Sequence, residues 1–264
     1  LANFMHLEKE EVIQGDCLIE MPKIPDKSID MILCDLPYGK TACKWDTIIP
    51  FEPLWEQYKR IIKDNGAIIL TASQPFTSAL VMSNPAMFKY SWIYKKRCAS
   101  NFAQAKYSPM KEHEDILVFA RGRVNYNPIK EERQGSGKER AKYAYSDKSR
   151  HASGDFVGNI KGNYDKENDS GNDEMRYPSS VQEFNNRASG DRGLHPTQKP
   201  LALFEYFIKT YTNEGDLVLD NCAGSGTTGV ACKNLNRNYI LIEKEPEYVE
   251  IINKRLNETP DKLL

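Results

Sequence analysis

Two segments of this chain combine residue types and spacing that can do chemistry. The first runs from Leu217 to Gly229, LVLDNCAGSGTTG, and holds Gly224-x-Gly226-x-x-Gly229 after an apolar run and before a helical pattern. Glycines so placed let backbone approach a ligand, and the helix start favours a carboxylate or phosphate. Ser225 and Thr227 add hydroxyls between them. Glu243 ends the next apolar run, 19 residues after Gly224. An acid there can bind paired ribose hydroxyls. Asp220, just before the loop, would repel a pyrophosphate but suits an ammonium group.

The second segment is Asp35-Leu36-Pro37-Tyr38-Gly39, directly after the apolar run MILC. An acid at the carboxyl end of a parallel strand stands where open α/β sheets place their ligands. The Asp35 carboxylate and a backbone carbonyl can accept hydrogen bonds from an exocyclic amine. Pro37 stiffens the turn, and the Tyr38 ring can stack on a planar base, a role that needs the ring and not the hydroxyl. A strand-ending turn accounts for Pro and Gly but not for Asp and Tyr together. A third feature is basic. Lys95, Lys96 and Arg97 precede Asn101 and Lys106, with Arg121 and Arg123 further on. The expectation is a phosphate-contacting edge near the site, with a solvated charge run as the alternative.

The elements that must position these residues read as βαβ units. Strands are expected at 12–13, 29–34, 67–71, 90–94, 116–119, 217–220 and 239–243. A helix is expected over 52–64, stopped by Asn65-Gly66, and others over 200–211, 226–236 and 246–257. This alternation predicts a largely parallel sheet with helices on both faces. Only about 20 residues follow Glu243, too few for the βα units a dinucleotide fold still needs. Strands from the front of the chain must therefore complete the sheet, which is a circular permutation. A ligand with a ribose, a carboxylate and an ammonium is S-adenosylmethionine, which fits better than NAD.

Composition bounds the partners. The 264 residues are 40% apolar and 28% charged, with a net charge of −1. That excludes a strongly basic nucleic-acid coat but not a local basic face. No apolar run is long enough for a membrane helix, and the first ten residues lack the apolar core of a secretory signal. The six cysteines form no CxxC pair, and the histidines are scattered, so free buried thiols and no metal site are expected. Residues 121–199 differ from the rest, with six Val, Ile or Leu and 15 basic against 12 acidic residues. The segment 121–194 is expected to be a polar insert, partly disordered and in contact with substrate. Residues 1–120 and 195–264 make up the other domain.

These motifs and their order resemble the β class of amino-methylating DNA methyltransferases, in which a (D/N/S)PPY motif precedes the recognition region and the cofactor glycine loop follows it. The resemblance covers nearly the whole chain. It implies a Rossmann-like S-adenosylmethionine-dependent methyltransferase fold, circularly permuted, with a mostly parallel seven-stranded sheet. It implies Asp35, Pro37 and Tyr38 as the catalytic set. Asp220, Gly224, Gly226 and Glu243 carry over to the cofactor, as do Asp16, through Gly15-Asp16, and Lys199, through His195-Pro-Thr-Gln-Lys199-Pro200. Residues 121–194 become the target-recognition insert. Leu36 departs from the motif's first proline, and Asn221-Cys222-Ala223 from its usual Pro-Phe stretch; neither removes a reactive group. The implied reaction is methyl transfer to an amine of a base flipped out of duplex DNA. Asp at the first catalytic position is usual for adenine N6, and the alternative is cytosine N4. A methyltransferase acting on RNA or a protein amide, and an inactive DNA-binding subunit, remain as other classes. Implied partners are double-stranded DNA, a second copy of the chain and a cognate restriction endonuclease, with no membrane, in a bacterial cytoplasm (the gene bacterial or phage-encoded).

Overall fold

A computed structural model describes residues 10–39, 46–133, 135, 175–186 and 198–260. Ten strands are described: β1 (Glu10–Gln14), β2 (Ile29–Cys34), β3 (Ile62–Ala72), β4 (Phe88–Ser100), β5 (Lys111–Phe119), β6 (Glu131–Glu132), β7 (Met175–Arg176), β8 (Val181–Phe184), β9 (Leu217–Asp220) and β10 (Asn238–Glu243). Eight of them form one sheet in the order β1-β10-β9-β2-β3-β5-β4-β8. Neighbours are parallel except where β5 runs antiparallel to both β3 and β4. The permutation is visible at one edge, where β1 from the front of the chain lies parallel to β10 from its end, Glu10 opposite Tyr239 and Gln14 opposite Glu243.

The absence of polar alternation in β2 follows from its place at the middle of the sheet, buried on both faces. Successive side chains divide between two cores. Ile32 and Cys34 point to one, with Ile68 and Leu70 of β3. Met31 and Leu33 point to the other, with Ala67 and Ile69. The first core is covered by helices α1 (Cys17–Glu20), α2 (Phe51–Ile61) and α3 (Phe76–Ser83). The second is covered by α4 (Leu201–Tyr211), α5 (Thr227–Asn234) and α6 (Pro246–Glu258). Leu203, Phe204, Phe207, Ile208 and Tyr211 recur at helical spacing along α4 and are buried against the sheet. Tyr211 also accepts a 2.8 Å hydrogen bond from Trp92 Nε1, which ties α4 to β4.

Two expectations need correction. The helix ends at Ile61, and Asn65-Gly66 lies inside β3 instead of stopping a helix. The β2–β3 register jumps from Ile29–Ile62 to Met31–Ala67. In that bulge Gly66 passes so close to β2 that a Cβ would sit 2.8 Å from the Asp30 carbonyl. The glycine thus serves close backbone approach. The main sheet also has eight strands and not seven, because Val181–Phe184 from the polar segment pairs with β4 as an edge strand. Its side chains alternate between exposed and half-buried, so no continuous apolar run marked it.

The described chain divides into one unit of residues 1–127 and 180–264 and another of residues 128–179. Within the second, β6 and β7 pair antiparallel, Glu131 opposite Arg176, and the two side chains form an ion pair of 3.0 Å. The stretches 136–174 and 187–197, with His195 and most of the polar insert, lie outside the described residues.

Candidate active site

Parallel strands deliver their carboxyl ends to one edge of the sheet. There β1, β2, β9 and β10 stop at Gln14, Cys34, Asp220 and Glu243. The loops that follow line a single cavity of about 670 Å³. Asp16, Asp35, Pro37, Tyr38, Lys199, Asp220, Gly224, Ser225, Thr227 and Glu243 all border it. Both motifs therefore open into one space, although 185 residues separate Asp35 from Asp220.

At one end lies the glycine loop. Gly226 adopts φ +78°, and a Cβ there would meet Ile252 at 3.0 Å, so a side chain is excluded twice over. The loop is braced from behind by buried Arg255, whose Nη1 donates to the Ser225 carbonyl at 2.6 Å and approaches Ser225 Oγ at 3.2 Å and Thr227 Oγ1 at 3.4 Å. Those two hydroxyls thus have an internal partner. Glu243 accepts from the backbone N–H of Gly224 at 2.7 Å and of Glu245 at 2.9 Å. Burial raises its carboxyl pKa. Asp16 caps α1 by accepting from Leu18 N at 3.0 Å and lies 3.3 Å from Lys244 Nζ.

Asp220 is 3% exposed. It accepts from Thr228 Oγ1 and, at 3.1 Å, from Cys222 N. Burial outweighs these bonds and pushes its carboxyl up to about 7. A carboxylate held this way gains from a cationic ligand, which restores its charged form. A buried acid at Asp220 that gains from a cation, and an acceptor at Glu243 on the adjacent strand, match the ammonium and the ribose hydroxyls that S-adenosylmethionine presents.

At the other end Asp35 is the centre of a network. Its Oδ1 accepts from Tyr38 OH at 2.8 Å and from Thr71 Oγ1. Its Oδ2 accepts from Lys199 Nζ at 2.5 Å. Lys199 is 9% exposed and also lies 3.3 Å from Glu114, which in turn pairs with Lys96 at 2.6 Å. Burial alone would lower the Lys199 pKa, but Asp35 and Glu114 outweigh it and hold the ammonium above its ordinary value. Burial alone would raise Glu114, but Lys199 and Lys96 outweigh it and hold the carboxyl down. The result is an alternating row of charges, Asp35, Lys199, Glu114, Lys96. Tyr38 stacks on Phe76 with centroids 5.1 Å apart. Burial, then the Asp35 charge, raises its phenol far above the usual range, so it remains a donor.

This geometry changes several sequence-based expectations. Lys199, which the resemblance carries over to the cofactor, donates to the Asp35 carboxylate at the border of the shared cavity. The Tyr38 hydroxyl is engaged, so the ring is not its only contribution. Lys96 is half-buried and pairs with Glu114 in the charge row, at the border of the cavity. Lys95 pairs with Glu183 at 2.8 Å, both about half exposed. Arg97, Asn101 and Lys106 are exposed on the carboxyl-end side of β4, as expected for a basic edge. Arg121 and Arg123 are not: they follow β5, which runs antiparallel, and so emerge at the opposite edge of the sheet. Arg121 there pairs with Asp64 at 3.5 Å. Spacing in a sequence does not show which end of a strand a residue leaves from.

Thr71, Glu114, Thr228 and Arg255 were missed. Glu114 had one signal, the acidic pair Glu114-Asp115 ahead of the buried run ILVF. Among the described residues Cys17, Cys34 and Cys232 are free and buried, whereas Cys98 and Cys222 are free but only half-buried; Cys43 lies outside the described residues. Cys34 is fully buried and its thiol is pushed up to about 12, so it offers no thiolate to attack a cytosine ring.

Comparison with known proteins places this geometry. Over 266 residues, 94% of the chain and 74% of the relative, it is 29% identical to the Type II methyltransferase M.HpaI of Haemophilus parainfluenzae. It is 31% identical to the DNA adenine methyltransferase YhdJ of Escherichia coli K12, over 95% of the chain and 83% of the relative. The crystal structure of the M1.HpyAVI–SAM complex superposes with a TM-score of 0.60 at 24% identity, covering 93% of this chain and 99% of that one. Residues 29–254 match the DNA methylase family N6_N4_Mtase, and the chain belongs to that family of amino-methylating DNA methyltransferases.

Proposed function

We propose that the chain transfers a methyl group from S-adenosylmethionine to the exocyclic N6 of an adenine flipped out of duplex DNA. The observation that carries this reading is the single cavity shared by the Asp35–Tyr38 turn and the glycine loop. The M1.HpyAVI complex contains SAM, and YhdJ is an adenine methyltransferase. Glu243 is assigned to the ribose hydroxyls, Asp220 to the ammonium, and the Gly224–Thr227 backbone and Asp16 to the remainder of the cofactor. When bound, S-adenosylmethionine would supply a methyl group on a sulfonium, which departs as a neutral thioether while the methylated amine releases a proton to solvent.

The residues of the chain then orient the amine. A carboxylate has about four lone-pair sites. Asp35 uses three of them, on Tyr38, Thr71 and Lys199, and one remains for an exocyclic N–H. Accepting that hydrogen bond turns the nitrogen lone pair toward the methyl donor. Lys199 and Thr71 fix the carboxylate without reaching the base, so they are positioning residues. Tyr38 supplies a stacking face, worth roughly 1–3 kcal/mol per base. Leu36 offers a backbone carbonyl as second acceptor. Residues 121–194 are assigned to target recognition. Assembly with a second copy and with a cognate restriction endonuclease, in the bacterial cytoplasm, belongs to the same proposal.

The test is methylation of unmodified plasmid DNA, digestion to nucleosides and mass spectrometry. N6-methyladenine is expected. N4-methylcytosine alone would move the assignment to the other amine of the family. Methylation of RNA or protein without DNA would overturn it.

A further inference from the structure

The tip joining β4 to β5 lies at the same end of the sheet as Asp35. It exposes two large aromatic side chains, Phe102 at 78% and Tyr107 at 84%. Neither contributes to a core. The tip is nevertheless braced by its own hydrogen bonds. Asn101, at φ +67°, donates from Nδ2 to Gln104 Oε1 at 3.1 Å. The backbone N–H of Ala105 donates to Phe102 O at 3.1 Å, and that of Tyr107 to Gln104 O at 2.8 Å. The two rings are thus held out in water by a short ordered turn. Positive charge accompanies them: Lys106 Nζ lies 6.0 Å from the Tyr107 centroid. Lys111, at the base of the tip, borders the catalytic cavity and donates to Ser73 Oγ at 2.8 Å.

Apolar faces interleaved with lysine, at the end of the sheet where the Asp35 cavity opens and Lys111 borders it, match a polyanion with stackable bases better than a protein surface. We propose that Phe102 and Tyr107 form a wedge that enters the duplex beside the target base and fills the space that base vacates. Lys106 steadies the wedge on the adjacent phosphate. Inserted apolar side chains of this kind offset the loss of stacking when a base leaves the helix. A wedge ordered before it binds loses less freedom on insertion. This inference rests on the proposed action on duplex DNA.

The test uses the full chain and a duplex carrying the base that the wild-type protein modifies, located by mapping methylated positions in plasmid DNA. A second duplex has an abasic site opposite that base, so no pair has to break. The Phe102→Ala/Tyr107→Ala protein should lose at least tenfold in kcat/KM on the paired duplex, and stay within about threefold of wild type on the abasic one. Lys106→Ala should weaken both by a similar factor, more so at low salt. Equal losses on both duplexes for the double variant, or no loss on either, would overturn the wedge. A wild-type protein that methylates no DNA would instead overturn the function on which it rests.

Discussion

The pKa of Asp220 makes cofactor affinity depend on pH in a predictable direction. Burial holds this carboxyl at about 7 in the ligand-free protein. Pairing with an ammonium requires the charged form, so affinity must rise as pH passes upward through that value. An acid of that pKa is about one-tenth ionised at pH 6 and about seven-tenths at pH 7.4. The α-amino group of the ligand titrates near about 7.8 and loses its proton at higher pH. The product of the two fractions peaks near pH 7.4 and falls about sixfold by pH 6 and more by pH 9. Calorimetric titration with S-adenosylmethionine at those three pH values measures both limbs. Asp220→Asn should bind roughly ten- to a hundredfold more weakly, the loss of a charge-assisted bond worth about 1.5–3 kcal/mol, and should lack the acid limb. 5′-Methylthioadenosine, which has the ribose but no amino-acid tail, should give a flat profile. Stability carries the opposite sign. A carboxyl whose folded pKa is raised favours the fold below its unfolded value near about 4, and that contribution is lost as pH rises through about 7. The ligand-free Asp220→Asn protein should therefore lose less melting temperature than wild type between those values. A flat binding profile in the wild type, or an acid limb that survives Asp220→Asn, would refute the assignment of Asp220 to the ammonium.

The catalytic end gives three further predictions. Asp35→Asn should leave S-adenosylmethionine affinity within about twofold and reduce methyl transfer by roughly a hundredfold, as loss of a positioned charge in an active site does; labelled-methyl incorporation and calorimetry separate the two. Tyr38→Phe keeps the ring but removes the donor to Asp35 and the contact with Thr71, so turnover should fall by up to about tenfold, for a hydrogen bond of about 0.5–1.5 kcal/mol; turnover equal to wild type would show that stacking alone matters. Lys199→Met leaves Asp35 and Glu114 facing each other without their shared cation; the urea midpoint should drop by the equivalent of about 3–5 kcal/mol, with cofactor affinity in the folded fraction close to normal.

The elements were legible because their period is set by burial. A strand in the middle of a sheet has apolar neighbours on both faces, and MILC, LVL and YILI all lack alternation for that reason. The permuted order was legible too, since a glycine loop so near the end of the chain leaves its sheet to be completed from the front. Val181–Phe184 was not legible: an edge strand is held by backbone hydrogen bonds to one partner, which impose no side-chain pattern. Asn65-Gly66 misled because a glycine that ends a helix and a glycine that lets two backbones touch look alike in sequence.

The same limit separates the two ends of the site. Asp220 and Glu243 could be assigned to one ligand because both end adjacent parallel strands beside one loop, a local relation. Lys199 precedes α4, and only the family resemblance assigned it to the cofactor. Its ammonium instead reaches Asp35, 164 residues away in sequence, because β2 and β3 lie between the cofactor strands and β5, where Glu114 waits. A cation between two acids from distant strands is a product of sheet order. Only once β2, β3 and β5 are placed side by side does it follow that a lysine entering between them must neutralise both carboxylates, and that its removal should disturb the reaction before it disturbs the cofactor.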